Sequence, residues 1–80
     1  MSYKDVTIVI TSFNSENQIV KCLNSINRKI QTFVIENSNN QDFKTNIEKK
    51  YTNVKCFLTG ENLGYAKGNN FGLKKVKTKY

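Results

Sequence analysis

Asp5-Val6-Thr7-Ile8-Val9-Ile10-Thr11, running straight into Ser12-Phe13-Asn14-Ser15, decides the fold. Residues 5–11 are β-branched and apolar at both alternating parities, which is the pattern of a strand covered on two sides in a parallel sheet. Ser15 then opens a capping box with Gln18, and Ile19, Cys22, Leu23 and Ile26 recur at i, i+3, i+4 and i+7. That spacing predicts an amphipathic helix over about 15–27, with Cys22 on its apolar face.

The same alternation continues along the chain. Phe33-Val34-Ile35 predicts a second short buried strand ending at Glu36, and the polar run Asn37 to Gln41 reads as loop. Asp42 is placed to cap a helix of about 43–51 whose apolar side is Phe43, Ile47 and Tyr51. Val54 to Leu58 is the third strand, and Ala66, Leu73 and Val76 suggest a third helix over about 66–77 with its lysines outward. The order β-α-β-α-β-α with short connections places the chain in the α/β class. It implies three parallel strands joined by right-handed crossovers, with helices on both faces, as in the first half of a doubly wound sheet. No proline and no repeat interrupts the pattern, so asparagine and glycine supply the punctuation.

Composition narrows the chemistry. Eighty residues accommodate one domain or a piece of one, and 38% hydrophobic content marks it as globular. There is no histidine and only two cysteines, Cys22 and Cys56. A Cys₄, Cys₂His₂ or His₃ zinc site is therefore excluded, as are Ser-His-Asp and Cys-His mechanisms. Both cysteines fall on apolar faces and are expected to be buried free thiols. The longest apolar run, Val6 to Ile10, is too short for a membrane span or a signal segment, so the expected setting is the cytoplasm. The net charge is +7, but residues 62–80 hold five lysines and no acid, which leaves only +2 on residues 1–61.

In open α/β sheets ligands bind beyond the carboxyl ends of the strands, so segments 11–15, 36–42 and 59–70 are the candidate site. In the first, Thr11, Ser12, Phe13 and Asn14 put hydroxyls, a ring and an amide at a strand-to-helix turn. The ring can cover a flat base, or it can be core, with Asn14 and Ser15 capping the helix. In the second, Glu36 ends its strand at the station where dinucleotide folds place an acid on ribose hydroxyls, and a carboxylate can also accept from the imide of uracil. The alternative is a solvated turn with a helix cap. A calcium loop is excluded because the central glycine and terminal bidentate glutamate are missing. The third segment, Gly60 to Gly72, is neither a Walker loop nor G-x-G-x-x-G. Its small residues at 64, 66, 68 and 72 allow close backbone approach, either to the sheet or to a phosphate, and Lys67 is the cation within it.

Taken together these segments resemble the start of a family 2 glycosyltransferase, whose nucleotide-sugar-binding fold, GT-A, is Rossmann-like. Val6-Thr7-Ile8-Val9-Ile10-Thr11-Ser12-Phe13-Asn14-Ser15-Glu16 looks like the family's first strand and Thr-x-Tyr/Phe-Asn turn. Val34-Ile35-Glu36-Asn37 looks like its second strand with a terminal acid. Glu61-Asn62-Leu63-Gly64-Tyr65-Ala66-Lys67-Gly68-Asn69-Asn70-Phe71-Gly72 is close to rhamnosyltransferase-like members and is the most specific of the three. The resemblance implies that Thr11 and Phe13 contact the nucleotide base and that Glu36 hydrogen-bonds the uracil or ribose. It places Lys67 near the phosphates, with Gly64 giving them room.

There are two departures. The family usually has aspartate at the position of Glu36, and its following Ser-x-Asp is replaced by Asn39-Asn40-Gln41, with Asp42 one place late. Neither the Asp-x-Asp motif, which in the family holds Mg or Mn on the diphosphate, nor the catalytic base is among these 80 residues. Residues 1–80 thus read as a truncated N-terminal nucleotide-sugar-binding part, not catalytic alone, with no cofactor of its own. The expected partner is a nucleoside-diphosphate sugar.

A different class of function is also open. It is a non-catalytic interaction module that dimerises, or complements the rest of an enzyme, through an exposed edge of strand one. Lys74, Lys75, Lys77 and Lys79 read as a solvated face rather than a nucleic-acid surface, although the same end would suit peripheral contact with an anionic membrane.

Overall fold

The computed structural model describes residues 5–61, 72 and 74–76. Its elements run β1 (Thr7–Ser12), α1 (Glu16–Ser25), β2 (Gln31–Glu36), α2 (Gln41–Lys50) and β3 (Val54–Leu58). The strands form one sheet in the order β1-β2-β3, and both pairings are parallel. This is the alternating α/β architecture that the sequence pattern implies. Most of the expected third helix over 66–77 falls outside the described residues. Of that stretch Gly72 is helical and Lys74 and Lys75 form a turn, closed by the Lys75 amide donating to the Gly72 carbonyl at 2.9 Å.

Register explains the two faces. Ile10, Val34 and Cys56 stand side by side across the sheet and point one way, while Val9, Phe33 and Lys55 form the next row and point the other way. The first face carries the main core, where Val34, Val54 and Cys56 meet Ile19 and Leu23 of α1 and Phe43, Ile47 and Tyr51 of α2. Both described helices therefore cover the same side of the sheet. The opposite side is met by Gly72, which lies against Val9 and Ile35. β2 is central and almost wholly buried. β1, expected to be buried on both sides, is only half-buried until Ser12 because it lies at the sheet edge.

The other edge is closed by side chains. On α2, Lys44 donates to the Cys56 carbonyl at 2.7 Å while Glu48 accepts from the Cys56 amide at 2.8 Å, and the two are ion-paired at 2.9 Å. The outward backbone groups of β3 at this point are thus satisfied without a neighbouring strand. Burial pushes the Glu48 carboxyl up, but the hydrogen bonds from Lys44 and the Cys56 amide, with the charges of Lys44 and Lys55, outweigh it. The carboxyl is held below its ordinary value.

Three local expectations are corrected. The capping box does not form: Ser15 precedes α1, but its hydroxyl donates to the Phe13 carbonyl rather than capping the helix. α2 begins at Gln41, two residues earlier than Phe43, because Asn40 and not Asp42 is the cap. The Asn40 side chain accepts from the Phe43 amide at 3.1 Å, and Asp42 lies in the first turn, where a carboxylate favours the positive end of the helix. Cys22 is exposed, since it falls at the margin of the apolar stripe of α1, whereas Cys56 is buried.

Burial pushes the Cys56 thiol up to about 12, so at neutral pH it stays protonated and inert. A soluble thiol reagent at pH 8 is expected to modify one cysteine per native chain, Cys22, and two in denaturant. Rapid modification of both in the native protein, counted by mass spectrometry, would contradict this packing.

Candidate functional site

Three loops meet beyond the carboxyl ends of the strands, and a buried carboxylate ties them together. Glu36 ends β2 directly opposite Ser12 at the end of β1, with Leu58 on its other flank. Its side chain is 1% exposed. Oε1 accepts from the Ser12 hydroxyl at 2.7 Å, and Oε2 accepts from the Asn14 amide at 3.2 Å and the Ser38 hydroxyl at 2.5 Å. Three donors from two loops satisfy a charge that burial would otherwise make costly.

Local backbone conformation delivers those donors. Asn14 adopts φ 50°, in the left-handed region that asparagine tolerates better than most residues, and its amide donates to Glu36. Ser38 stands two residues beyond the carboxylate, and its own amide donates to the Glu36 carbonyl at 2.8 Å. The third loop joins through the backbone. The Thr59 amide donates to the Glu36 carbonyl at 3.1 Å, and the Gly60 amide to the Ser38 carbonyl at 3.0 Å, with Gly60 at φ 84°. Buried Asn37 completes the connection, its amide donating to the Ser12 carbonyl at 2.8 Å and its side chain accepting from the Thr59 hydroxyl at 3.2 Å.

Among the expected site residues, Glu36 and Phe13 are brought to the same turn. Phe13 follows Ser12 and precedes Asn14, both of them bound into the Glu36 network, and is itself 45% exposed, the one large hydrophobic side chain so exposed among the described residues. Its alternative reading as core is therefore wrong. Thr11 is half-buried at the end of β1, opposite Ile35, and strand alternation directs it to the face away from Ser12 and Glu36. Gly64 and Lys67 lie outside the described residues. The residues whose roles the sequence did not reveal are Ser12, Asn14, Ser38, Asn37 and Thr59. The available signal was hydroxyls at the ends of two strands that prove to be neighbours, and the register was needed to read it.

Among the described residues no three side chains of the histidine, cysteine, aspartate or glutamate type come together. No helix of the described residues is long and apolar enough to cross a membrane.

A search of curated proteins and of solved structures matched none. The family model described as Glycosyl transferase family 2 matches residues 7–80.

Proposed function

Because the chain belongs to glycosyl transferase family 2, we propose that its three carboxyl-end loops bind the nucleoside diphosphate of an activated sugar. The observation that carries this reading is the exposed Phe13 ring, held on a turn whose two neighbours in the chain are fixed by the buried Glu36. A ring held in this way covers a base with little loss of conformational freedom on binding. Thr11 flanks the base from the end of β1, Gly64 gives the backbone close approach, and Lys67 faces the phosphates. Glu36 is buried with both oxygens engaged, so it acts on the base or ribose by fixing the turn that carries Phe13 and not by accepting from the ligand itself. The sequence of 61–72 favours the rhamnosyltransferase-like members within the family.

Residues 1–80 contain no Asp-x-Asp, so we infer that they bind the donor without transferring its sugar. Transfer breaks the bond from the sugar to the diphosphate and moves the proton of the acceptor hydroxyl to a base. The family resemblance assigns the first to a cation held by Asp-x-Asp and the second to a later base, and neither of those motifs is among residues 1–80.

Calorimetric titration with uridine and thymidine diphosphate-sugars tests the proposal. A base stacked on an aromatic side chain contributes about 1–3 kcal/mol, so Phe13→Ala should weaken binding by roughly 5- to 150-fold. Being exposed, the same change should alter folding stability by no more than about 0.5 kcal/mol. Wild-type affinity in the Phe13→Ala chain, or no binding by the wild type below millimolar concentration, would remove the assignment.

A second reading rests on the sheet edges. The β3 edge is closed at Cys56 by Lys44 and Glu48, whereas no strand lies beyond β1 among the described residues. Further strand pairing, by a second copy or by another part of the same enzyme, would then occur at β1. A monomer in sedimentation at high concentration would count against pairing with a second copy.

A further inference from the structure

Beside the bonds to the Glu36 carboxylate, a second line of contacts runs from the first loop to the third through Asn37 and Thr59. Asn37 is 2% exposed and donates its amide to the Ser12 carbonyl at 2.8 Å. The Thr59 hydroxyl donates in a three-centre bond to Asn37 Oδ1 at 3.2 Å and to the Glu61 carbonyl at 2.5 Å. Ser12 precedes Phe13, and Glu61 opens the segment that carries Gly64 and Lys67.

The backbone holds the same stretch. The Thr59 amide donates to the Glu36 carbonyl at 3.1 Å and the Gly60 amide to the Ser38 carbonyl at 3.0 Å. Gly60 turns the chain at φ 84°, and a Cβ there would meet nothing within 4 Å, so the backbone angle and not a shortage of space requires glycine. The direction in which the chain leaves β3 is therefore set against the second loop. A threonine serving only its own loop would bond the Glu61 carbonyl alone. The Thr59 hydroxyl also reaches a buried side chain whose backbone is pinned to the residue before Phe13.

We propose that Thr59, acting through Asn37, is a positioning residue of the donor site. Resting on the donor reading above, its role is to aim the segment after β3, with Gly64 and Lys67, at the diphosphate while Phe13 takes the base. The hydroxyl carries the role, so serine can replace it, whereas valine, of similar size but without the hydroxyl, cannot.

Calorimetric titration of the 80-residue chain with uridine diphosphate and thymidine diphosphate tests this. Thr59→Val should bind the tighter of the two roughly 3- to 10-fold more weakly than the parent, the effect of about one neutral hydrogen bond. Thr59→Ser should bind as the parent does. In double-mutant cycles Thr59→Val and Lys67→Gln should be coupled, because a misdirected segment no longer brings the cation to the phosphates, while Thr59→Val and Phe13→Ala should add. Amide exchange in the free chain supplies a readout that needs no ligand: the Gly60 amide should exchange faster in Thr59→Val, and the Asn14 amide at the parent's rate. If the parent binds neither diphosphate, the donor reading fails and this role with it. If the parent binds and Thr59→Val binds equally, the positioning role alone is overturned. The same holds if serine fails to restore affinity, if Lys67→Gln costs the same in both backgrounds, or if Asn14 exchanges faster along with Gly60.

Discussion

Glu36→Gln is expected to destabilise the chain by about 2–3 kcal/mol, and Glu36→Ala by about 3–5 kcal/mol. The carboxylate accepts from Ser12, Asn14 and Ser38 while 1% exposed. Hydrogen bonds to a charged group contribute roughly 1.5–3 kcal/mol each, and a buried donor left without a partner costs a further 1–3 kcal/mol. Glutamine preserves the volume and one carbonyl acceptor but presents an NH₂ to a donor on its other side. Alanine removes both acceptors and leaves a void. The totals are held below a simple sum because Asn14 and Ser38 are partly accessible and can turn to water.

A chain of this length has a total stability on the order of 4–12 kcal/mol, so either change removes a large share of it. The thermal midpoint should fall by about 4–8 °C per kcal/mol lost. Thermal and urea denaturation followed by circular dichroism check this, and a Glu36→Gln chain within about 0.5 kcal/mol of the parent would mean that the network contributes nothing. The outcome also bears on the proposed function. If Glu36 chiefly organises the turn, Glu36→Gln should disturb the donor affinity and the stability together. If it chiefly reads the base, affinity should fall with stability little changed.

Gly72→Ala should cost about 0–2 kcal/mol, against the intrinsic preference of a helical position for alanine. A Cβ at 72 would lie 2.6 Å from Val9 Cγ1 and 3.0 Å from Ile35 Cγ1, where carbon pairs settle near 3.5–4.0 Å. Val9 is β-branched and fixed in the sheet, so its methyl has no low-cost alternative position. Overpacking of this kind typically costs about 1–3 kcal/mol, and replacing glycine by alanine in a helix returns about 0.8–1.0 kcal/mol. The double-mutant cycle with Val9→Ala isolates the contact: removing Cγ1 should make Gly72→Ala neutral or stabilising in that background. Additive effects would show that the close approach at Gly72 is not the reason for glycine.

These two residues mark where reading the sequence succeeded and where it stopped. Of the two readings of the small residues between 64 and 72, tight packing on the sheet holds at Gly72, but its partners Val9 and Ile35 lie 63 and 37 positions away in the chain. Glu36 was legible as a strand-end acid at a ligand-binding station. Its donors were not, because Ser12 becomes its neighbour only when β1 pairs with β2 in one particular register. Local competition explains the remaining errors. Asn40 and Asp42 are both good caps two residues apart, and the chain uses the one whose side chain reaches the Phe43 amide. Cys22 satisfies a helical spacing but lies at its margin, and so is exposed.

The sequence alone therefore determined the alternation of strands and helices, since apolar periodicity and strand-ending polar runs are local properties of the chain. It also pointed to the carboxyl ends of the strands as the candidate donor site, and it carried the resemblance to the glycosyltransferase family. Only the tertiary structure decided that Glu36 is buried and bound by three donors, that Phe13 remains exposed beside it, and that Asn37 and Thr59 tie the third loop to the first two. Those depend on which residues become neighbours across strands, and the pairing register, which sets those neighbours, is a property of the folded sheet and not of any one segment.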